Sequence, residues 1–457
     1  MRPMSLTEAA KAVGGKLVNS NDEAFICGAS IASNKINKND LFVAIKGERT
    51  DGHKYINDSF KNGASAALCT FVPDDVSGPC IVVDNTVKAL QDLSRAYRDT
   101  VKAKVVGITG SVGKTSTKEI MASVLSAKFK TLKTEGNLNN EIGLPLMVLR
   151  IEDEHEVVVL EMGISDFGEM RLLSSIAKPD VCVITNIGQA HLENLKSRDG
   201  ILKAKTEIFE YMNPDGAVFV NGDDDKLVTI GEVYGRKPVH FGFSGNNYVY
   251  PENIVYNGYH GSEFTLCLNG RRFDNKLFII GEHMVLNAAA AAAVGEYLGL
   301  SDEDIQRGIK NATTISGRLN LIGYNEGYII DDCYNASPKS MMASLDTLCL
   351  GEGRKIAVLG DMLELGDDSE KMHFEVGKYA AEHEIDVLVA IGPLSKAIYD
   401  GAKSLEESKT LLKESFYFAD LDAFTSKMDE IFKKKDNILL KASNGMNFSK
   451  IINLLNK

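Results

Sequence analysis

The chain has 457 residues, of which 44% are hydrophobic and 25% are charged. These values are ordinary for globular proteins and exclude a disordered, collagen-like or coiled-coil chain, while about 150 residues per domain predicts about three domains. The 63 acidic and 51 basic residues give a formal net charge of −12, which excludes a non-specific nucleic-acid binder with a basic surface. Any anionic ligand must therefore be held by a local site.

The cysteines and the apolar segments indicate the compartment. The seven cysteines are scattered, with no CxxC pair and no Cys/His cluster at zinc spacing, as is typical of core residues in a reducing environment. The longest apolar run, residues 288–294, is much shorter than the roughly 18 residues that cross a bilayer. The first residues also lack an apolar signal segment. We therefore expect a soluble, cytoplasmic protein without membrane insertion and without a nucleic-acid partner.

Short apolar runs alternate with helix-length segments along most of the chain, which predicts an α/β protein with mostly parallel sheets. Residues 239–278 resemble hairpins instead, and an alanine-rich helix over 283–298 would allow close packing. The β/α rhythm restarts after Gly317, so we expect domains over 1–100, 101–316 and 317–457. Strands are predicted at 41–45, 66–68, 105–108, 157–160, 181–184, 328–330, 356–359, 387–391 and 438–440, and helices at 87–99 and from about residues 114, 197, 339 and 369.

Residues 105–116 (VVGITGSVGKTS) form the strongest motif, an apolar strand that runs through a glycine-rich loop into a helix. In a P-loop, backbone N–H groups converge on phosphate oxygens, a lysine reaches the β- and γ-phosphates, and the next hydroxyl binds Mg²⁺. Lys114 and Thr115 would have these last two roles. Ile108 stands where the usual GxxxxGK pattern has its first glycine, so the loop is a variant. The alternative is a tight turn with a solvated lysine.

A P-loop also needs a carboxylate for its metal ion, and a neighbouring buried strand commonly supplies it. Glu161 directly follows the apolar run 157–160, where the predicted strand ends. His191 follows the run 181–184 at the edge where open α/β sheets bind ligands. Both have ordinary alternatives: an exposed glutamate at a strand end and, more often than a ligand, a structural histidine.

Together and in this order, these motifs resemble the Mur ligases, the ATP-dependent amide-forming enzymes of peptidoglycan precursor synthesis. The family's TGxxGKT loop accounts for Ile108. The resemblance implies a three-domain Mur ligase architecture: an N-terminal UDP-sugar domain, a central P-loop ATPase domain and a C-terminal Rossmann-like domain that closes over the site. The matching stretches are 109–115 (TGSVGKT), 136–143 (GNLNNEIG), 161–163 (EMG), 186–187 (NI) with 190–193 (AHLE), 204–209 (AKTEIF) and 281–287 (GEHMVLN).

Within the family, the chain is most similar to the member that joins D-alanyl-D-alanine to UDP-N-acetylmuramoyl-tripeptide. The resemblance implies these two small molecules as partners, and an acyl phosphate formed on the tripeptide carboxylate before the dipeptide amine attacks it. We expect the protein to act as a monomer. The stretches that carry this similarity are 41–49 (LFVAIKGER) with 51–53 (DGH), 331–338 (DDCYNASP) and 358–366 (VLGDMLELG).

The resemblance also assigns roles to individual residues. His283 and Asn287 match adenine-side positions, Arg318 a phosphate-proximal arginine and Asp331 a ribose-binding aspartate. ATP contacts are implied for Thr109, Gly110, Ser111, Val112, Gly113, Lys114, Thr115 and Ser116. Substrate contacts are predicted for Lys46, Arg49, His53, Asn137, Asn139, Asn140 and Asn335.

Two Mg²⁺ sites are implied, with Thr115, Glu161 and His191 as ligands. Lys205 aligns with a lysine that carries a carbamate in several Mur ligases, and CO₂ addition would turn its amine into a carboxylate that can bridge to a second Mg²⁺. Without the resemblance, Lys203 is an equal candidate, and a solvated helix face is the alternative for either. The predicted catalytic residues are Lys114, His191 and Lys205.

Three stretches depart from the family pattern, but none removes a phosphate or metal residue. Residues 32–34 (ASN) replace Asp-Ser-Arg at a UDP-contacting turn, Met284 replaces an asparagine after His283, and residues 441–444 (KASN) replace Lys-Gly-Ser-Arg. The rival functions are another Mur-type amino-acid ligase, a non-catalytic nucleotide-binding paralogue, and a generic P-loop kinase or GTPase. The intact phosphate and metal residues disfavour the paralogue.

Overall fold

The computed structural model describes residues 1–20, 24–47, 50–188, 192–405 and 410–455, in which strands and helices alternate along most of the chain. The predicted α/β class with largely parallel sheets is confirmed. Within these ranges, no helix is both long enough and apolar enough to cross a bilayer. All seven cysteines lie in them and are free thiols, five of them buried.

The N-terminal strands form a five-stranded sheet in the order β2-β7-β6-β5-β4 and a small pair, β1-β3, among the described residues. Strands β4 to β7 are parallel, and β5 and β6 are buried at every residue, as expected where both faces of a sheet are covered. The elements are β1 Met4–Ser5, α1 Leu6–Val13, β2 Lys16–Val18, β3 Phe25–Ile26, β4 Gly28–Ser30, β5 Asp40–Val43, α2 Ile56–Lys61, β6 Ala66–Cys69, β7 Cys80–Val82 and α3 Thr86–Arg98.

The middle of the chain forms a nine-stranded sheet, counted over the described residues, in the order β16-β15-β14-β13-β12-β11-β8-β10-β9. It is parallel from β9 to β14, whereas β14, β15 and β16 are antiparallel, which confirms the hairpin-like reading of residues 239–278. The elements are β8 Lys104–Thr109, α4 Lys114–Ser126, β9 Thr131–Lys133, α5 Gly143–Val148, β10 Val157–Glu161, α6 Glu169–Ala177, β11 Val181–Ile184, α7 Leu192–Leu195, α8 Arg198–Thr206, β12 Ala217–Asn221, β13 Val239–Phe241, β14 Val249–Tyr256, β15 Ser262–Leu268, β16 Arg271–Leu277, α9 Glu282–Tyr297 and α10 Asp302–Lys310.

The alanine-rich helix α9 packs directly on α4, the helix that follows the glycine-rich loop. Its alanines at 288–293 are all buried. Small side chains let two helix backbones approach closely, and this brings Asn287 beside the first turn of α4. The predicted close packing is therefore confirmed, and it positions a candidate site residue.

The C-terminal strands form a six-stranded sheet, again within the described ranges, in the order β17-β18-β22-β19-β20-β21. All neighbours are parallel except the edge pair β17-β18, as in a Rossmann-like domain. The elements are β17 Asn320–Tyr324, β18 Gly327–Asp331, α11 Pro338–Cys349, β19 Lys355–Gly360, α12 Ser369–Glu382, β20 Val387–Ile391, α13 Lys396–Lys403, β21 Glu414–Phe418, α14 Leu421–Thr425, α15 Met428–Ile431, β22 Asn437–Lys441 and α16 Ser449–Leu455.

The three larger sheets draw their strands from residues 16–82, 104–277 and 320–441. Each of these spans falls inside one of the three predicted domains. The boundaries themselves, at residues 100 and 316, stay predictions.

His373 on α12 fixes the loop that follows β19. Its imidazole is fully buried; Nδ1 donates to the Ser369 carbonyl at 2.7 Å and Nε2 accepts from the Met362 N–H at 2.9 Å. Nε2 can accept its bond only while the ring is neutral, and burial lowers the pKa of His373 below its usual value of 6.5.

This lowered pKa predicts a pH-dependent stability. Between the folded-state pKa and 6.5, the unfolded chain binds more protons than the folded chain, so the free energy of unfolding decreases as the pH falls below 6.5. The contribution is at most about 1.4 kcal/mol per pH unit. Urea unfolding of His373→Gln should show a shallower loss of stability from about pH 7 to about pH 5.5 than the unsubstituted protein. Identical slopes would contradict the role of this ring.

Candidate active site

The glycine-rich loop and the glutamate predicted to bind a metal ion meet at one edge of the nine-stranded sheet. Strands β10, β8 and β11 are parallel neighbours, with Glu161 paired to Ile108 and Ile184 paired to Thr109. The carboxyl ends of the three strands therefore lie side by side, where open α/β sheets bind ligands.

The segment after β11 holds the loop in place. The Ser111 N–H donates to the Asn186 carbonyl at 3.1 Å, and the Asn186 side-chain amide exchanges two hydrogen bonds of 2.9 Å with the backbone of Val112. Gly110 has φ 153°, and a Cβ there would lie 1.9 Å from the Thr185 hydroxyl. Only glycine fits so close an approach. This bracing role of Asn186 and Thr185 was not predicted.

Lys114 and Thr115 open helix α4 directly after Gly113, whose φ is 84°. The Lys114 ammonium lies over the loop and donates to the Gly110 carbonyl at 2.8 Å. Burial lowers its pKa, and the negative charge of Glu161 acts in the opposite direction. Thr115 is buried. The helix N-terminus, the glycine loop and a lysine thus converge on one point, which is the geometry of a phosphate site.

Glu161 is buried, and only one of its two carboxylate oxygens accepts a hydrogen bond from the described residues. Oε1 accepts a hydrogen bond of 2.9 Å from the Asn139 amide, whereas Oε2 has no hydrogen-bond partner among the described residues. A buried carboxylate oxygen without a donor is costly unless a cation lies beside it. Carboxylate and hydroxyl oxygens are ligands that Mg²⁺ accepts, so the residues present fit a magnesium ion. The described part of the chain contains no group of three or more His, Cys, Asp or Glu side chains suited to a metal.

Lys205 and Lys203 face opposite sides of helix α8. Lys205 is buried, and its pKa lies well below the usual value because of that burial and of the positive charge of Lys114. Lys203 is exposed, with its ammonium 5.9 Å from the centre of the Phe167 ring. The geometry thus distinguishes two lysines that the residues alone left equivalent. His191 lies outside the described residues.

Arg318, just past Gly317, approaches the same point from the C-terminal side. Its guanidinium lies 4.0 Å above the centre of the Tyr334 ring, and its buried Nε has no partner in the described ranges. Its positive charge contributes to the lowered pKa of Lys114. A small cleft is lined by Ser116, Glu119, Ile279, Met284, Thr313, Thr314, Ile315 and Arg318. A larger groove across β14, β15, β16 and α10 contains none of the predicted site residues.

The three remaining nucleotide candidates lie in different settings. The Asn287 oxygen accepts a hydrogen bond of 3.0 Å from Thr117 on α4. His283 is half-buried at the start of α9. Burial lowers its pKa, the charge of Asp332 raises it, and the charge of Lys441 lowers it further. The residue that reaches the cleft is its neighbour Met284.

Asp331 is bonded entirely within the protein. Its carboxylate is fully buried and accepts hydrogen bonds from the Gly317 N–H at 2.7 Å, the Ser316 hydroxyl at 3.0 Å and the Cys333 thiol at 2.9 Å. It therefore fastens the segment that joins the middle and C-terminal sheets. A ribose contact by Asp331 stays a prediction that this conformation does not display.

The predicted substrate residues are dispersed. His53 is buried, hydrogen-bonded to Asp51 and Thr70 and stacked on Phe71, so both ring nitrogens have partners within the protein. Asn139 binds Glu161, and the Asn140 oxygen accepts the N–H of Gly143 at the start of α5. Lys46, Asn137 and Asn335 are exposed, and Arg49 lies outside the described residues.

A buried ion pair near His283 was not predicted. The Lys441 ammonium bonds the Asp332 carboxylate at 2.5 Å and the Asn335 carbonyl at 3.1 Å, and both side chains are buried. Each charged residue lies at or just after the carboxyl end of a strand whose last residues are buried, β22 or β18. That placement was the signal that could have identified them.

Comparisons with known proteins agree with this architecture. Three family profiles match: the Mur ligase family catalytic domain over residues 26–102, the Mur ligase middle domain over 108–295, and the Mur ligase glutamate ligase domain over 317–444. The UDP-N-acetylmuramoyl-tripeptide–D-alanyl-D-alanine ligase of Bacillus subtilis (strain 168) is 39% identical over 452 residues, which are 97% of this chain and 96% of the relative.

Two solved structures share the fold. MurF from Acinetobacter baumannii has a TM-score of 0.88 at 33% identity, with 100% of both chains covered. The MurF ligase from Thermotoga maritima, solved in complex with ADP, has a TM-score of 0.79 at 30% identity over 94% of this chain and 96% of that one. Because sequence relatives, profiles and structures agree over nearly the full length, the chain belongs to the Mur ligase family.

Proposed function

We propose that this Mur ligase is an ATP-dependent enzyme that joins D-alanyl-D-alanine to UDP-N-acetylmuramoyl-tripeptide in peptidoglycan precursor synthesis. The observation that carries the proposal is the Glu161 carboxylate, which is buried beside a lysine-bearing phosphate loop with one oxygen unpaired among the described residues. The Bacillus relative is named for this reaction, and the Thermotoga relative was solved with ADP, which supports ATP as the nucleotide.

The chemistry requires activation, because a carboxylate does not react with an amine at neutral pH. The terminal carboxylate of the tripeptide attacks the γ-phosphorus of ATP, the bond to the bridging oxygen breaks, and an acyl phosphate and ADP form. The amine of D-alanyl-D-alanine then attacks the acyl carbon, and phosphate leaves as the amide forms. Closure of the C-terminal domain would keep water from the acyl phosphate.

Phosphoryl transfer is catalysed mainly by positioning the reactants and by stabilising the charge on the transferring group. Lys114 and Arg318 would contact the phosphates, because both lie at the point where the loop and helix α4 meet. Thr115 and Glu161 would hold Mg²⁺, which would neutralise charge on the transferring group. His191 and a carbamate on Lys205 are proposed as further ligands, the carbamate for a second Mg²⁺ beside His191.

Each predicted domain would bind one reactant. Residues 1–100 would bind the UDP-sugar, with Lys46 and Arg49 as proposed contacts, and residues 101–316 would bind ATP. Residues 317–457 would bind the dipeptide and close over the site. Asn335 is exposed at the carboxyl edge of the C-terminal sheet, which suits a substrate contact.

The decisive experiment incubates the purified protein with ATP, Mg²⁺, UDP-N-acetylmuramoyl-tripeptide and D-alanyl-D-alanine and follows phosphate release. We expect release only when both substrates are present, with a pentapeptide product by mass spectrometry. A parallel reaction replaces the tripeptide by UDP-N-acetylmuramoyl-dipeptide, and the dipeptide by lysine or diaminopimelate. Activity only in the parallel reaction would identify another Mur-type ligase. Phosphate release without D-alanyl-D-alanine would contradict the proposal.

Removal of the Tyr334 ring should impair the use of ATP. The ring lies 4.0 Å from the Arg318 guanidinium, and cation–π contacts contribute about 0.5–2 kcal/mol. We expect Tyr334→Leu to lower kcat/KM for ATP by about 2- to 30-fold, in proportion to that contribution. Tyr334→Phe keeps the ring and should remain within about twofold of the unsubstituted enzyme. A loss in both variants would assign the effect to the hydroxyl instead.

A further inference from the structure

Lys118 is a buried lysine that none of the roles above uses. It lies on helix α4, one turn after Lys114, and its side chain is 1% exposed. Its ammonium donates to the Thr134 carbonyl at 2.7 Å and pairs with Glu119 at 3.0 Å. A buried ammonium is costly to desolvate, and an apolar side chain would fill such a position at least as stably. Its placement therefore calls for a specific explanation.

Thr134 connects this lysine to Glu161. It directly follows β9, is 1% exposed, and donates its N–H to the Val159 carbonyl on β10 at 3.0 Å. Its hydroxyl accepts the N–H of Glu161 at 2.9 Å. Lys118 thus reaches the backbone of Glu161 through one residue, with a hydrogen bond on each side of Thr134.

The two proposed metal ligands lie on separate elements. Thr115 is in the first turn of α4, whereas Glu161 ends β10. The Lys118–Thr134 bond ties that same helix to the strand end that carries the glutamate. A shift of helix against strand would change the distance between the Thr115 hydroxyl and the unpaired Oε2 of Glu161.

We infer that Lys118 is a positioning residue, which acts through Thr134 to hold Glu161 in register with Thr115 for Mg²⁺–nucleotide binding. The inference rests on the proposed function, because it assumes that the two side chains share a magnesium ion. Residues that orient metal ligands from behind typically change metal affinity by about 10- to 100-fold when replaced.

The test measures binding rather than turnover. Calorimetry with β,γ-methylene-ATP, in Mg²⁺ and in EDTA, gives the factor by which Mg²⁺ strengthens nucleotide binding. In Lys118→Met, we expect the affinity in EDTA to stay within about twofold of the unsubstituted protein while the Mg²⁺ factor falls about tenfold or more. A lysine that only stabilised the fold would lower both affinities together.

Lys133→Met is the matched control. The Lys133 side chain pairs with the other oxygen of Glu119, but it is 45% exposed and makes no hydrogen bond to Thr134 among the described contacts. We expect its Mg²⁺ factor to equal that of the unsubstituted protein. An equal loss in both lysine variants would assign the effect to the charge of Glu119 and overturn the inference.

Thr134→Val tests the same connection if Lys118→Met does not fold. It keeps the carbonyl that Lys118 binds and removes the hydroxyl that accepts from Glu161, so it should also lose the Mg²⁺ factor, whereas Thr134→Ser should keep it. An unchanged factor in Thr134→Val, or in folded Lys118→Met, overturns the inference alone. If the unsubstituted protein binds the nucleotide equally well with and without Mg²⁺, both the inference and the proposed metal site are contradicted.

Discussion

Replacement of Glu161 by glutamine is expected to reduce ligase turnover by about 10²- to 10³-fold, the effect of removing one group that stabilises transition-state charge. The substitution conserves shape: the glutamine oxygen can still accept from Asn139 at the position of Oε1, which now receives that bond at 2.9 Å. The amide nitrogen would replace Oε2, the buried oxygen that lacks a partner among the described residues. An NH₂ group cannot bind a cation, so the variant removes the metal ligand and leaves the packing.

The measurement is the rate of phosphate release at saturating ATP and Mg²⁺, with thermal unfolding as a check on the fold. Because the substitution relieves an unpaired buried charge, we expect the midpoint of unfolding to be unchanged or raised. Glu156→Gln is the control. Glu156 precedes the other end of the same strand, where its carboxylate accepts the Lys130 N–H at 3.0 Å, and its variant should retain normal turnover. Turnover of Glu161→Gln within threefold of that control would exclude Glu161 from the metal site.

The sequence predicted the sheet edge well because the signals were local. The runs at 105–108, 157–160 and 181–184 became the parallel neighbours β8, β10 and β11 with ends extended by at most one residue. Apolar runs bounded by glycine and polar residues indicate buried strands, and the edge at which parallel strands carry ligands follows from topology. The glycine-rich loop and Glu161 therefore lie at one sheet edge as expected, while the roles of Lys114, Thr115 and Glu161 stay predictions.

Strand β21 was not predicted, because it lacks such a local signal. Its residues Glu414–Phe418 are exposed or only partly buried at every position, as an edge strand of the sheet. A segment that packs on one side and meets solvent on the other lacks the continuous apolar run of a central strand.

The roles of individual polar residues depended on distant partners. The ligand contacts of Asp331 and His53 stay predictions. Their internal hydrogen bonds were not predicted: the partners of Asp331 include residues 316 and 317, and those of His53 include Thr70. Lys441 and Asp332 are 109 positions apart and meet only because β22 and β18 are neighbours. No local pattern reports which polar side chain will be satisfied internally. Those assignments needed the tertiary structure.

Without the resemblance, the choice between Lys203 and Lys205 also needed the fold. Residues two positions apart are rotated by about 200° around the helix axis and so point in nearly opposite directions. Only one of them can therefore face the sheet edge. Helix α8 packs against α6 and the turn at 207–209, which turns Lys205 inward and leaves Lys203 exposed.

The largest effect after Glu161 is expected at Lys205. A carbamate forms when a neutral amine attacks CO₂, and an ordinary lysine is protonated at neutral pH. Burial and the positive charge of Lys114 lower the pKa of Lys205 well below 10.5, so its reactive neutral form is populated at lower pH than in an exposed lysine. Because the amine regains its proton as the pH falls through this lowered pKa, carbamate formation and activity should decline in the same direction.

We expect turnover to fall by about 10²-fold or more in Lys205→Ala, as for other removed charge-stabilising groups. Millimolar acetate or formate should restore part of this turnover, because a small carboxylate can occupy the space of the carbamate. Lys203→Ala is the matched control. Its turnover should be normal and should not change when acetate or formate is added. In the unsubstituted enzyme, removal of CO₂ from the buffer should lower activity and bicarbonate should restore it. Full activity of Lys205→Ala would exclude the carbamate. The alternative is that Lys205 acts only as an amine. In that case carboxylates would not restore activity to Lys205→Ala, and bicarbonate would not affect the unsubstituted enzyme. The lowered pKa of Lys205 would then be only a consequence of its burial.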